Sequence, residues 1–232
     1  MSQGDGPAIE AVLWDIGGVI LDIESVREGH VEFVGWLVET YDLDSVDEGV
    51  STWRREIGEY FREREGTEFR PAREGYHRAI EGIVGHEVKR DDWLPPFREI
   101  LGEHLRSNPG AADTIEAIAK SGIHQGVVSD VDADEGRFIL GRLGVLDHLD
   151  AITTSEDVGR TKPDRAMFET ALEKAKVDPG RALMIGDRYS HDMEGASVLD
   201  IQTAAYGAED GPAVDHRLTG LSDLLEILGI DG

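Results

Sequence analysis

The chain has 232 residues, 40% of them hydrophobic, which suffices for one large domain or two modest ones with a packed core, and it has no cysteine. Disulfides, thiolate nucleophiles and cysteine-ligated metals are therefore excluded. Its 48 acidic residues against 23 basic ones leave a formal charge of −25, a surface that repels nucleic acid and anionic membranes alike.

Only five basic residues are lysine: Lys89, Lys120, Lys162, Lys174 and Lys176. So dense a negative charge is best tolerated where salt screens it, and near 1 M the screening length is about 3 Å. The expectation is a salt-adapted protein; the alternative is an ordinary acidic protein that prefers arginine. The amino-terminal stretch MSQGDGPAIE lacks both the cationic start and the apolar segment of a signal peptide. No later window has the apolar length of a membrane helix. A soluble, cytoplasmic chain is expected, with any disorder confined to its tips, and either a monomer or a homodimer is compatible with the sequence.

Along the chain, AIEAVLWD reads as a short buried strand ending at Asp15, because its apolar run is too short for a helix and Gly17 and Gly18 stop it. From about Ser25 to Arg106 the period changes. VEFVGWLVETY, VSTWRREIGEYFREREG and GYHRAIEGIV place apolar residues at three-to-four spacing, a helical block with no strand candidate. From Pro109 onward, helix and strand alternate. A helix AADTIEAIAKSG closes on Gly122, and strand IHQGVVSD follows. Then come helix DADEGRFILGRLG, strand LDAITTSE, helix PDRAMFETALEKAKV, strand RALMIGD, helix SHDMEGASVLD, strand IQTAAYG and a last helix in LSDLLEILG. This alternation predicts an α/β fold with a central parallel sheet flanked by helices, whose ligands sit at strand carboxyl ends.

Polar residues stand at those ends: Asp15, the pair Ser129 and Asp130, and Asp187 in MIGDRYSHD, with Lys162 on a connecting loop. Brought into one crevice, the carboxylates would bind a hard divalent cation such as Mg²⁺, and cation and lysine together suit an anionic substrate. Each residue also has a plainer reading. Ser129 could cap the next segment, Lys162 could be a surface residue before a proline-started helix, Asp187 a turn residue, and Asp192 a helix acid favoured by the dipole. The eight histidines show no ligand spacing. Ten of the eighteen arginines lie between Arg54 and Arg106, inside the helical block; ion pairs with glutamates at helical spacing explain them better than a ligand does.

In this order the strand ending in Asp15, the strand ending in Ser129, Lys162 ahead of a helix and the pair Asp187 and Asp192 resemble the four motifs of the haloacid dehalogenase superfamily. The resemblance implies a Rossmann-like core over 1–24 and 107–232 with an inserted helical cap over 25–106. It implies hydrolysis of a small phosphorylated metabolite through an aspartyl-enzyme intermediate with Asp15 as nucleophile. Mg²⁺ would be held by Asp15, the Gly17 carbonyl, Asp187 and, through water, Asp192. Lys162 would offset negative charge, the Ser129 hydroxyl and the amides from Ile16 to Gly18 would bind the phosphoryl oxygens, and Gly18 and Asp130 are placed at the substrate. The chain departs from the usual phosphatase pattern at Gly17, where most members carry a second aspartate that serves as general acid and base, worth about 10²–10⁴-fold in rate. Three readings follow: a phosphatase in which a good leaving group or another acid such as Asp130 or Asp22 compensates, a 2-haloacid dehalogenase, or a non-catalytic binding protein.

Overall fold

The structure is a computed structural model that describes residues 8–207 and 210–230. The expected disorder of the tips falls on residues 1–7 and 231–232, outside the described residues. The chain forms two compact units, Met1–Leu21 with Ser107–Gly232, and Asp22–Arg106. The first break precedes the 24/25 division read from the sequence, because Asp22 already caps the first helix of the insertion.

Strand β1 (Ala11–Trp14) is buried along its whole length, as strands of a parallel sheet covered on both faces are. The insertion then contributes α1 (Ile23–Thr40), α2 (Val46–Arg62), α3 (Ala72–Val84) and α4 (Arg90–His104). Its helix starts are set by local chemistry. Asp22 Oδ1 accepts the Glu24 N–H at 2.9 Å and Ser45 Oγ accepts the Glu48 N–H at 3.3 Å, satisfying donors that the first turn leaves open. Helix α4 was not legible as a separate element, because Pro95 and Pro96 remove two helical donors. It forms because Trp93, Phe97 and Leu101, four residues apart, are all buried.

An aromatic cluster fills this unit, with ring centroids 5.0 Å apart for Phe33 and Phe97, 5.6 Å for Trp53 and Tyr76 and 5.9 Å for Trp93 and Phe97. His30 lies within it, 5.1 Å from Trp53 and stacked on Phe97 at 5.8 Å. Its Nε2 is buried without a partner, and burial pushes its pKa down to about 4. Arg78 and Arg106 form surface ion pairs: Arg78 meets Glu56 at 3.0 Å and Glu63 at 2.9 Å, and Arg106 meets Glu28 at 2.7 Å.

After Ser107 the first unit resumes with α5 (Ala111–Ser121), which ends on Gly122 at φ +83° as its sequence predicts. There follow β2 (His124–Ser129), α6 (Ala133–Arg142), β3 (Ala151–Thr154), α7 (Ser155–Val158), α8 (Arg165–Ala175) and β4 (Ala182–Gly186). The segment read as a helix after β4 is a π-helical turn, Tyr189–Met193, running into the short α9 (Glu194–Ser197). Strands β5 (Gln202–Tyr206) and β6 (His216–Leu218) and helix α10 (Asp223–Ile227) complete the unit. The three-residue β6 was not anticipated; it is too short and too polar to show a period.

All strands pair in parallel, in the order β3-β2-β1-β4-β5-β6. The order reverses between β1 and β4, the position at which such sheets open a crevice at their carboxyl ends. Leu13, Val128, Met184, Met167, Phe168 and Met193 belong to the core packed against the sheet. Trp14 is in register with Val127 on β2 and Ile185 on β4. Asp15, Ser129 and Asp187 therefore leave the sheet within two residues of one another. No helix among the described residues is long and apolar enough to cross a membrane.

Candidate active site

Asp15 continues β1, its N–H donating to the Ile185 carbonyl at 3.0 Å. The residue is 6% exposed, and three donors converge on Oδ1: the Ile16 N–H at 2.8 Å, the Ser129 hydroxyl at 2.8 Å and the Lys162 ammonium at 3.0 Å. Oδ2 receives no hydrogen bond among the described residues. One oxygen is thus fixed and the other left available, an arrangement suited to a nucleophile held in one orientation. Burial raises the Asp15 carboxyl above its ordinary range, opposed by the ammonium of Lys162 and reinforced by Asp192.

The plainer readings of Ser129 and Lys162 do not fit their contacts. Ser129 spends its hydroxyl on Asp15, not on a cap. Lys162 is 2% exposed and lies between two carboxylates, with Nζ 2.5 Å from Asp192 Oδ1 and 3.0 Å from Asp15 Oδ1. Burial alone would lower its pKa, but Asp15, Asp192 and Asp130 outweigh burial and keep it charged. Asp192 is fully buried, and its Oδ2 accepts the Arg188 N–H at 3.0 Å.

Asp187 differs from the other acids. Its Oδ1 is buried with no hydrogen-bond partner, and burial pushes its pKa up to about 6, with Asp15 and Asp192 adding to the effect. Oxygens of Asp15, Asp187 and Asp192 lie within 4.8 Å of one another. Three carboxylates around a single ammonium leave an excess of negative charge, and with one oxygen unsatisfied this all-oxygen set fits a hard divalent cation.

Two glycines make this packing possible. Gly18 has φ +78°, and a Cβ there would stand 2.1 Å from Asp187 Oδ2. A Cβ on Gly186 would stand 2.2 Å from the Cβ of Asp192. Gly17 sits between Asp15 and Gly18 and bridges to Leu21. Gly186 was missed from the sequence, although a glycine inside a buried strand signals close approach of another group.

Asp130, expected at the substrate, also makes local contacts. Its Oδ1 accepts the Lys162 N–H at 2.8 Å and the Ser155 hydroxyl at 2.9 Å, so it anchors the loop that delivers Lys162. Asp22, the other candidate for the missing acid, is the N-cap of α1 and sits 3.5 Å from Arg106. Asn108 was also missed. Its Nδ2 donates to the carbonyls of Gly18 at 2.8 Å and Val19 at 2.9 Å.

Residues 9–200 match the sequence profile of the haloacid dehalogenase-like hydrolases. Among curated proteins, the chain is 34% identical over 129 residues to the mouse (Mus musculus) haloacid dehalogenase-like hydrolase domain-containing protein 3, covering 52% of this chain and 51% of that protein. It is 31% identical over 133 residues to a glyceraldehyde 3-phosphate phosphatase of Pyrococcus furiosus, covering 54% and 55%. The chain thus spans about half the length of the curated relatives it matches. A crystal structure of a HAD phosphatase from Thermococcus onnurineus superposes with a TM-score of 0.71 at 25% identity, over 95% of this chain and 98% of that one.

Proposed function

The chain belongs to the haloacid dehalogenase-like hydrolase family, and from that premise we propose that it hydrolyses small phosphate monoesters, sugar phosphates among them, with Asp15 as nucleophile. The carrying observation is the convergence of Ile16, Ser129 and Lys162 on one oxygen of Asp15, beside an Asp187 oxygen that is buried and unpartnered. The free oxygen of Asp15 attacks phosphorus, the bond to the ester oxygen breaks, and the leaving group departs as an alkoxide that takes a proton from water. Water then attacks the aspartyl phosphate, releasing inorganic phosphate and restoring the Asp15 carboxylate. Lys162 stays protonated throughout, holding Asp15 in place and offsetting charge on the phosphoryl group, while the Ser129 hydroxyl steadies the attacking carboxylate. Mg²⁺, held by Asp15, the Gly17 carbonyl and Asp187, with Asp192 acting through water, would supply Lewis-acid charge to the phosphoryl oxygens.

With Gly17 in place of a second aspartate, and with Asp130 and Asp22 engaged elsewhere, the reading favours substrates whose leaving groups need little protonation, such as sugar 1-phosphates. A role in displacing halide from carbon leaves the unpartnered Asp187 without a task, which favours the phosphatase over a dehalogenase.

The test is phosphate release from a panel of phosphomonoesters in Mg²⁺ and molar KCl, comparing wild type with Asp15→Asn. Turnover by the wild type, abolished in the variant and by EDTA, supports the proposal. Dehalogenation of a 2-haloacid undiminished in EDTA would replace it, and Mg²⁺ binding without turnover of any ester would leave a binding protein.

A further inference from the structure

The loop that follows Asp15 touches two of the three clustered carboxylates. Its first residue, Ile16, donates its N–H to Asp15 Oδ1 at 2.8 Å, and Gly18 lies so close to the Asp187 carboxylate that no Cβ fits between them. The position of this loop therefore sets the spacing between Asp15 and Asp187. What holds it is Asn108. Four successive carbonyls of the loop accept hydrogen bonds from this one residue: Gly18, Val19 and Leu21 from its side-chain Nδ2 at 2.8, 2.9 and 3.4 Å, and Ile20 from its backbone N–H at 2.9 Å. Carbonyl oxygens pointed at one place repel unless a donor stands among them. A carboxamide supplies two N–H groups there; neither an aliphatic side chain nor a carboxylate supplies any.

We infer that Asn108 is a positioning residue for the active site: through the loop from Ile16 to Leu21 it fixes the separation of Asp15 and Asp187, and hence both the affinity for a divalent cation and the rate of the chemical step. The inference rests on the function proposed above only for its second half. Asn108 touches none of the clustered carboxylates, so its effect is transmitted by backbone alone.

Asn108→Asp and Asn108→Ser are the test, the second being the milder because its hydroxyl still donates to one carbonyl. Mg²⁺ affinity is read by titration calorimetry and turnover by phosphate release, with melting temperature as the check on folding. For a folded Asn108→Asp we expect Mg²⁺ affinity to fall by about tenfold or more, the scale on which second-layer partners of metal ligands act. We expect kcat to fall on the order of 10²-fold with KM little changed, the signature of a misplaced reacting group. Asn108→Ser should show the same changes, smaller. A folded Asn108→Asp with wild-type Mg²⁺ affinity and kcat overturns the inference. Should neither variant fold, the Asn108 side-chain amide resonances of the wild type decide: they are expected to shift when Mg²⁺ is added, and unmoved resonances overturn the inference. A wild type that binds Mg²⁺ but hydrolyses no ester refutes the proposed function alone, and the calorimetry still decides Asn108. A wild type that binds no Mg²⁺ overturns both.

Discussion

Replacing Lys162 with methionine keeps the length and bulk of the side chain and removes its charge. In the native site that charge lies 3.0 Å from Asp15 and 2.5 Å from Asp192, with all three side chains almost wholly buried. Removing one partner from a buried ion pair costs about 3–5 kcal/mol, because the remaining charge has neither water nor a counter-ion. Here two carboxylates are stranded, next to a third, Asp187. For a chain of this size each kcal/mol is about 2–4 °C in melting temperature, so the variant should melt about 6–20 °C lower in EDTA. A divalent cation restores the missing positive charge and binds only the folded cluster, so Mg²⁺ should stabilise Lys162→Met by more than it stabilises the wild type. Thermal unfolding followed by circular dichroism, in EDTA and in saturating Mg²⁺, measures both quantities. A variant that melts within 2 °C of wild type in EDTA, or that gains no more from Mg²⁺ than wild type does, would refute the electrostatic account of the site. Turnover of the best phosphate ester should fall by about 10²–10³-fold, the usual loss for one preorganised stabilising group.

The buried His30 makes the protein acid-sensitive. Its folded pKa of about 4 lies below the ordinary value of 6.5, so above pH 6.5 proton binding makes no difference to stability, while between pH 6.5 and 4 the unfolded chain takes up a proton that the native state refuses. The stability lost is about 1.4 kcal/mol per pH unit and about 3.4 kcal/mol in all. Denaturant titrations of wild type and His30→Phe should diverge by this amount below pH 6.5, and parallel curves would count against it. Gly186→Ala places a Cβ 2.2 Å from that of Asp192; displacing Asp192 should lower stability by about 1–3 kcal/mol in urea titration and reduce turnover with it, and an unaffected variant would mean that the packing yields easily. With a formal charge of −25, the far-UV signal of the fold should weaken in dilute buffer and return in molar KCl; indifference to salt would point to an ordinary acidic protein.

Much of the site could be read in advance because parallel strands end in chemistry: a buried apolar run stopping at Asp15, Ser129 or Asp187 leaves few other tasks for the polar residue. What stayed hidden was how those ends are held. Asp130 follows Ser129 at a strand end, and nothing local shows that its carboxylate also anchors the Lys162 loop 32 residues away. Asn108 and Gly186 act through contacts made only when distant segments meet. Helix α4 and strand β6 were obscured for opposite reasons: a proline pair contradicts a helix that its buried aromatic residues nonetheless stabilise, and three residues at the end of a sheet, two of them polar, are too few to show alternation.

The bridge between Leu21 and Ser107 bears on how such a protein diversifies. The two residues at which the chain leaves and rejoins the first unit are already partners. To the sheet, the whole of Asp22–Arg106 is therefore equivalent to the tip of a hairpin. The entropy of closing that excursion grows only slowly with its length. The length of the helical insertion can therefore change at this seam without shifting the register of β1 against β2 and β4, and the carboxylates and the lysine stay where they are.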